Sequence, residues 1–200
     1  MSISDRQKEE RELRKERILS GALSVFKSKG IDGATMDEIA AASGFGKATL
    51  YYYFPSKEDV FCGILDKGWS KLLESLEEEI HSDQTPRETF INILIKLARN
   101  AQKNRNEYEF LFNAPKAITR IDIKDQSWKS YQHRLYATLK GLLDEGIAKR
   151  EFPNLDPDLM FKAIGGLFVG LIFMGEKNKD ITAGDIEKLL NQLIVDPNQS

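Results

Sequence analysis

Between Thr35 and Asp59 the chain reads TMDEIAAASGFGKATLYYYFPSKED, and this stretch leaves few folds open. Thr35 with Glu38 has the spacing of a capping box, in which a hydroxyl and a carboxylate each take an amide that the helix start leaves unbonded. Ile39 and Ala40 can then face inward on a short helix over 36–43, and Gly44 suits the left-handed turn that ends it. A second short helix follows over 47–53, with Gly46 as a permissive rather than a preferred cap. Two short helices joined by a glycine turn outline a helix-turn-helix, whose second member is the one offered to a DNA groove. Leu50 and Phe54 lie four apart and anchor one face, while Lys47, Thr49, Tyr51, Tyr52 and Tyr53 crowd hydrogen-bonding groups onto a helix too short to bury them all. Ser56 caps the next helix. Lys57 sits in its first turn, where the dipole would favour an acid, so that a cation and open amides together make a phosphate clamp. The competing reading makes the tyrosines half-buried packing and leaves Lys57 in solvent.

The run GKATLYYYFPSKEDVF, preceded by ALSVFKSKGIDGATMDEIAAASG, resembles the DNA-binding domain of the TetR family of bacterial transcriptional regulators, continuously over about residues 14 to 62. The resemblance implies an all-α chain. It also implies a homodimer that binds palindromic double-stranded operator DNA and, in most members, is released when a small-molecule effector enters the C-terminal domain. Thr35 matches a position where family members touch the DNA backbone. Tyr52 stands where histidine is common, and Gly46 where serine is common. Because Ala48 is small, Lys47, Thr49 and Tyr51 are left as base-reaching groups, with Tyr52, Tyr53 and Lys57 on phosphates. Base contacts and DNA shape set preference, so these residues do not spell an operator.

Composition agrees. The net charge of −2 excludes a strongly basic coat, but residues 1–57 carry ten Lys or Arg against eight Asp or Glu, and residues 58–200 carry nineteen against twenty-three. A slightly positive head on an acidic body orients a chain toward DNA without fixing it there. The single cysteine, Cys62, has no internal partner, and with no signal peptide the expected setting is the cytoplasm. The arm SISDRQKEERELRKER mixes signs at three- and four-residue spacing, as exposed helices do; Arg6, Lys8, Arg11, Arg14 and Lys15 can touch phosphates or stay in water. Leu19, Ala22, Leu23 and Phe26 then form an apolar stripe that Gly30 ends near residue 29.

These patterns predict about nine helices, with a three-helix DNA-binding domain over 1–56 and a larger helical ligand-binding and dimerisation domain over 57–200. A long helix is expected from Lys57 to about Ile80. Thr85-Pro86 with Glu88 starts the next. Pro115 interrupts or restarts the chain, a clear helix spans Trp128 to Ile147 with Gly146 loosening its end, and Asp156-Pro157 starts another. The thirteen-residue run Ala163–Gly175 is the most apolar, yet short of the roughly 18 to 20 residues that span a bilayer, so no membrane partner is expected. It has to be covered on more than one face. With a last helix from Thr182 to Ile194 it makes half of a four-helix bundle completed by a second subunit, as family members do, with Gly166, Gly170, Ile186 and Leu190 at the interface; an internal core helix in a monomer is the other reading.

The resemblance puts an effector pocket among the middle helices. Phe90, Leu94, Phe110, Phe112, Trp128, Tyr131, Leu135, Phe168 and Phe173 are the candidate wall and Tyr131, Asn113, Glu107 or Glu109 the polar fixtures, suiting an apolar or aromatic ligand; ordinary core packing is the alternative for each. His81 and His133 stand apart from any cysteine or carboxylate cluster, so no metal is expected. No phosphate-binding loop, cofactor signature or nucleophile–base pair is legible, and no catalytic residue is assigned. A helical protein-interaction module, or an activator without effector release, remains the alternative function.

Overall fold

A computed structural model describes residues 3–117, 127–173 and 182–193, which form ten α-helices and no strand. These are α1 (Ile3–Gly33), α2 (Met36–Ser43), α3 (Lys47–Tyr53), α4 (Lys57–Glu74), α5 (Glu77–Ile80), α6 (Pro86–Lys103), α7 (Arg105–Ala117), α8 (Trp128–Ala148), α9 (Pro157–Phe173) and α10 (Ala183–Leu193). The chain divides into two compact units. One contains the residues up to Gly68 together with Trp128, and the other contains Trp69–Ala117 and the residues from Lys129 onward.

In the first unit α1 is exposed along its first turns and becomes buried at Ile18. Ile18, Ala22, Val25 and Phe26 then pack against Ile39, Ala40, Leu50, Val60, Phe61 and Leu65, with the Phe26 and Phe61 rings meeting edge to face at 5.3 Å. Gly30, at φ 70°, breaks the helical geometry of α1. The closest crossing is at Gly21, where a Cβ would lie 2.7 Å from the Ser43 nitrogen and 2.8 Å from its Cα. Ser43 is itself buried, and its hydroxyl donates to the carbonyls of Ile39 and Ala40. The end of α2 can therefore lie flat on α1 with no polar group stranded.

The second unit is a helical core around Trp69, Leu72, Leu76, Phe90, Ile93, Leu97, Leu111, Leu135, Leu143 and Phe152. α6 packs on α7, α9 and α10. It starts with the expected capping box, in which the Thr85 hydroxyl accepts from the Glu88 amide and the Glu88 carboxylate accepts from the Thr85 amide.

Three expectations change. The single helix expected over 57–80 is two helices, which accounts for ten where about nine were expected. Leu76 stays fully buried, at φ −105° and ψ −3°, and the three acids Glu77, Glu78 and Glu79 then favour a fresh helix start. Pro115 does not interrupt α7, whose backbone runs on to Ala117. Nor does Gly146 loosen the end of α8. Its carbonyl accepts from the Glu151 amide at 2.8 Å while the Arg150 amide bonds to the Ile147 carbonyl, a Schellman closure made with Arg150 in the left-handed region at φ 59°. A Cβ on Gly146 would lie 2.5 Å from the Phe152 ring. That ring is buried edge-on against Phe90, so the glycine is there for close approach.

Gly21→Ala tests the helix crossing. The methyl meets backbone, which no side-chain rotation relieves, so the variant is expected to lose about 1–3 kcal/mol in a denaturant titration. Gly46→Ser, at a helix start with open space around it, is expected to gain a few tenths of a kcal/mol in the same measurement.

Candidate functional site

The reading unit is held by its caps. The Thr35 hydroxyl accepts from the Glu38 amide at 3.3 Å, and the Glu38 carboxylate accepts from the Thr35 amide at 3.0 Å. Lys29 also bonds to Glu38. This bond from Lys29, followed by the Thr35 bonds, holds the Glu38 carboxyl below its ordinary range. A depressed carboxyl contributes stability that is complete above its unfolded-state value and is lost as pH falls through the folded one, so this cap is intact at neutral pH and weakens only in acid. Gly44, at φ 71°, closes α2: its amide bonds to Ala41 and the Phe45 amide reaches back to Ala40 at 3.0 Å. Gly46 gives α3 no side-chain cap.

α3 buries only Leu50. Tyr51 and Tyr52 are 50% and 71% exposed, Lys47 is exposed, and Thr49 and Tyr53 are half-buried. Thr35 is exposed at the start of α2. The Lys47 ammonium lies 2.6 Å from the Asp37 carboxylate, and this bond raises its pKa, so it remains a cation. Both partners are well exposed, and a surface pair of this kind holds by no more than about 1 kcal/mol. A phosphate could take the ammonium over at little cost.

Lys57 has a role that sequence reasoning missed. Its ammonium donates to the carbonyls of Asp32 and Ala34, each at 3.1 Å, tying the start of α4 to the link between α1 and α2. A lysine has three N–H donors, so one remains to face outward. Neither the free clamp nor the solvated side chain describes this residue alone. The Ser56 hydroxyl accepts from the Asp59 amide and starts α4 as expected.

In the second unit an open apolar cleft of about 480 Å³ runs between α6, α7, α8 and α9. Of the residues expected to wall a pocket, Leu94, Phe112, Leu135 and Phe168 line it. Phe90 does not; it is buried in the core against Phe152. Asn113 is exposed and its amide donates to the Glu109 carbonyl. Phe110 and Tyr131 are half-buried outside the cleft lining, and Trp128 is buried with the first unit. Tyr136, Phe161 and Lys162, none of them anticipated, do line it. Tyr136 follows the buried Leu135 directly, and the signal for it was its place three residues before Leu139 on the same helix. Its ring meets those of Phe161 at 5.3 Å and Trp69 at 6.2 Å, and burial pushes its hydroxyl pKa up. It is a neutral donor at ordinary pH. The Trp69 indole nitrogen is buried with no acceptor among the described residues.

α9 presents a second apolar strip. Leu159 is 60% and Leu167 36% exposed, with Ala163 and Gly166 exposed between them. Gly170 is half-buried and, like Gly166, lines the cleft. The side chains of Ile186 and Leu190 on α10 lie outside the described residues. Among the described residues no group of three or more His, Cys, Asp or Glu could hold a metal ion, and no helix is long and apolar enough to cross a membrane.

Residues 18–62 match the model of the bacterial regulatory proteins of the tetR family. The HTH-type transcriptional regulator SrpR of Pseudomonas putida is 25% identical over 199 residues, covering 90% of this chain and 84% of that protein. Among solved structures, AibR in complex with isovaleryl coenzyme A and operator DNA superposes with a TM-score of 0.79 at 17% identity, over 92% of this chain and 99% of that one. FadR of Bacillus subtilis in complex with stearoyl-CoA superposes with a TM-score of 0.69 at 21% identity, over 88% and 96%. At these identities the two structures speak for the fold. The matched helix-turn-helix, its exposed tyrosine-rich second helix and the all-helical fold that carries it make this chain similar to the DNA-binding transcriptional regulators of the TetR family, by sequence over residues 18–62 and by fold over most of its length.

Proposed function

We propose that the chain is a repressor that binds a palindromic operator as a homodimer and is released by a small apolar or aromatic effector. The observation that carries the DNA-binding part is α3, which buries one leucine and leaves Lys47, Tyr51 and Tyr52 exposed on a rigidly capped support. Tyr51, Lys47 and Thr49 face bases; Thr35, Tyr52, Tyr53 and the remaining donor of Lys57 sit on phosphates. Repression needs only that a bound dimer occupies the duplex, whereas activation needs a further contact with another protein. In a titration with a duplex enriched from a random-sequence pool and a mixed-sequence control, Tyr51→Ala is expected to narrow the gap between the two. Lys57→Ala is expected to weaken both alike, to reduce the salt dependence by about one phosphate, and to lower the unfolding temperature because two carbonyls lose their donor. Loss of affinity with an unchanged unfolding temperature would show that its tie to Asp32 and Ala34 is idle.

The dimer reading rests on the exposed strip Leu159, Ala163, Gly166 and Leu167, which a partner helix would cover while the glycine allows close approach. Sedimentation equilibrium at micromolar concentration is expected to give twice the chain mass, and Leu167→Glu to shift it toward the monomer. A native protein that runs as a clean monomer sinks the symmetric-operator reading.

The effector reading rests on the cleft. Its wall is apolar and aromatic, with the Tyr136 hydroxyl as a neutral donor and Lys162 as the one cation among the described lining residues. Two proteins of the same fold are complexes with acyl-coenzyme A, which makes graded acyl-CoA esters and the matching free acids the first panel to try. A ligand shifts the DNA-binding equilibrium only if it binds the released form more tightly. Val169→Trp, which fills the cleft from its α9 wall, is therefore expected to blunt release by any active compound while leaving operator affinity in its absence nearly unchanged. Release that proceeds undiminished in this variant moves the effector site elsewhere.

A further inference from the structure

The exposed start of α1 is not a loose tail. Two of its arginines, Arg11 and Arg17, touch aromatic rings of the helix-turn-helix some thirty to forty residues further along the chain, and Arg14 lies between them at the same three-residue spacing. The Arg11 guanidinium lies 5.9 Å from the centre of the Tyr52 ring, and that of Arg17 lies 4.8 Å from the centre of Phe45, in the turn just ahead of α3. Between them Arg14 is bound to Glu10, with the Tyr53 hydroxyl near enough to act on its charge. The rings of Tyr52 and Tyr53 in turn meet edge to face at 5.2 Å. Arg17 further lies beside Gly44, 3.4 Å from where a Cβ would be.

Tyrosine side chains on a seven-residue helix with one buried anchor have wide freedom, and holding them in one rotamer before DNA arrives removes an ordering cost from binding. We propose that the N-terminal arm belongs to the DNA-recognition apparatus, with Arg11 and Arg14 as positioning residues that hold the Tyr52 and Tyr53 rings for duplex DNA and Arg17 fixing the turn before them. This rests on the DNA-binding reading above. Two other uses of the same side chains are distinguishable from it: direct contact with phosphates, and simple solvation.

Double-mutant cycles separate the three. The titrations use the full chain, with the pool-enriched duplex and the mixed-sequence duplex at several salt concentrations. Arg14→Ala is expected to weaken binding by about two- to fivefold, the size of an exposed cation–aromatic contact or hydrogen bond. In a Tyr53→Phe background the same change is expected to do almost nothing. Arg11→Ala is expected to behave likewise beside Tyr52→Ala. The salt dependence stays the same in each case, because no phosphate contact is removed. Arg11 and Arg14 are both exposed, so the unfolding temperature serves as a control and is expected to hold. Losses of equal size in both backgrounds, with a shallower salt dependence, would overturn the proposal in favour of direct phosphate contact. Unchanged affinity in the single variants would overturn it in favour of solvated side chains. A native protein that enriches no duplex removes the DNA-binding reading and this one with it, whereas normal native binding beside silent arm variants removes this one alone.

Discussion

Everything in the reading unit depends on how closely α1 and α2 approach at Gly21. Backbone lies against backbone there, within 3 Å of where any side chain would begin, and such a contact fixes both the distance and the angle of crossing. α2 is eight residues long and α3 seven, far below the roughly 12 to 15 at which an isolated helix holds in water. Neither has a conformation of its own to contribute. They are helical because α1 supplies a wall, the two-sided cap of Thr35 and Glu38 fixes where α2 begins, and the left-handed Gly44 fixes where it ends. What reaches the solvent on α3 is thus set by contacts that α3 does not make.

The same economy explains Lys57. Past Gly30, which leaves helical geometry, the end of α1 and its link to α2 would expose carbonyls at Asp32 and Ala34. The Lys57 ammonium takes both. A cation at a helix start is unfavourable to the helix that bears it. Here the cost is offset by two charge-assisted hydrogen bonds to a different segment, and the residue that closes the link still has a donor to offer.

The features legible in the sequence were those with a local cause. The capping boxes at Thr35 and Thr85, the left-handed Gly44, the bounds of α2 and α3 and the proline start of α9 each follow from residues within four positions of one another. The glycines show the limit. Gly44 declares itself by following an apolar pattern, but Gly21 and Gly146 look like helix-weakening residues until the Ser43 backbone and the Phe152 ring are seen against them. The cleft was legible as a type of surface but not as a set of residues, for a related reason. Phe90 and Phe168 are equivalent in sequence, each an aromatic residue on an apolar face, and only the packing of Phe152 against one of them decides which is core. Tyr131 and Tyr136 differ by five positions, about 140° around a helix, enough to turn one away from the lining and the other into it.

α9 remains to be accounted for. Gly165 and Gly166 stand mid-helix, where each costs up to about 1 kcal/mol relative to alanine, and among the described residues neither has a packing neighbour within 4 Å of where its Cβ would be. Among the described residues nothing returns that cost, in contrast to Gly21 and Gly146, where close packing does. Nor is the helix balanced in polarity: Leu159 and Leu167 face water on one side while Phe161, Phe168 and Val169 border an open cleft on the other. A helix left apolar on two sides among the described residues, with its backbone bared between them, is the kind that a partner surface covers. The proposed dimer and effector would each take one side: a partner helix along the leucine strip, where a side chain at Gly166 would hold it off, and an apolar body in the cleft, where one at Gly165 would shorten the floor. Because both sides belong to one helix, whatever fills the cleft bears on the backbone that carries the strip.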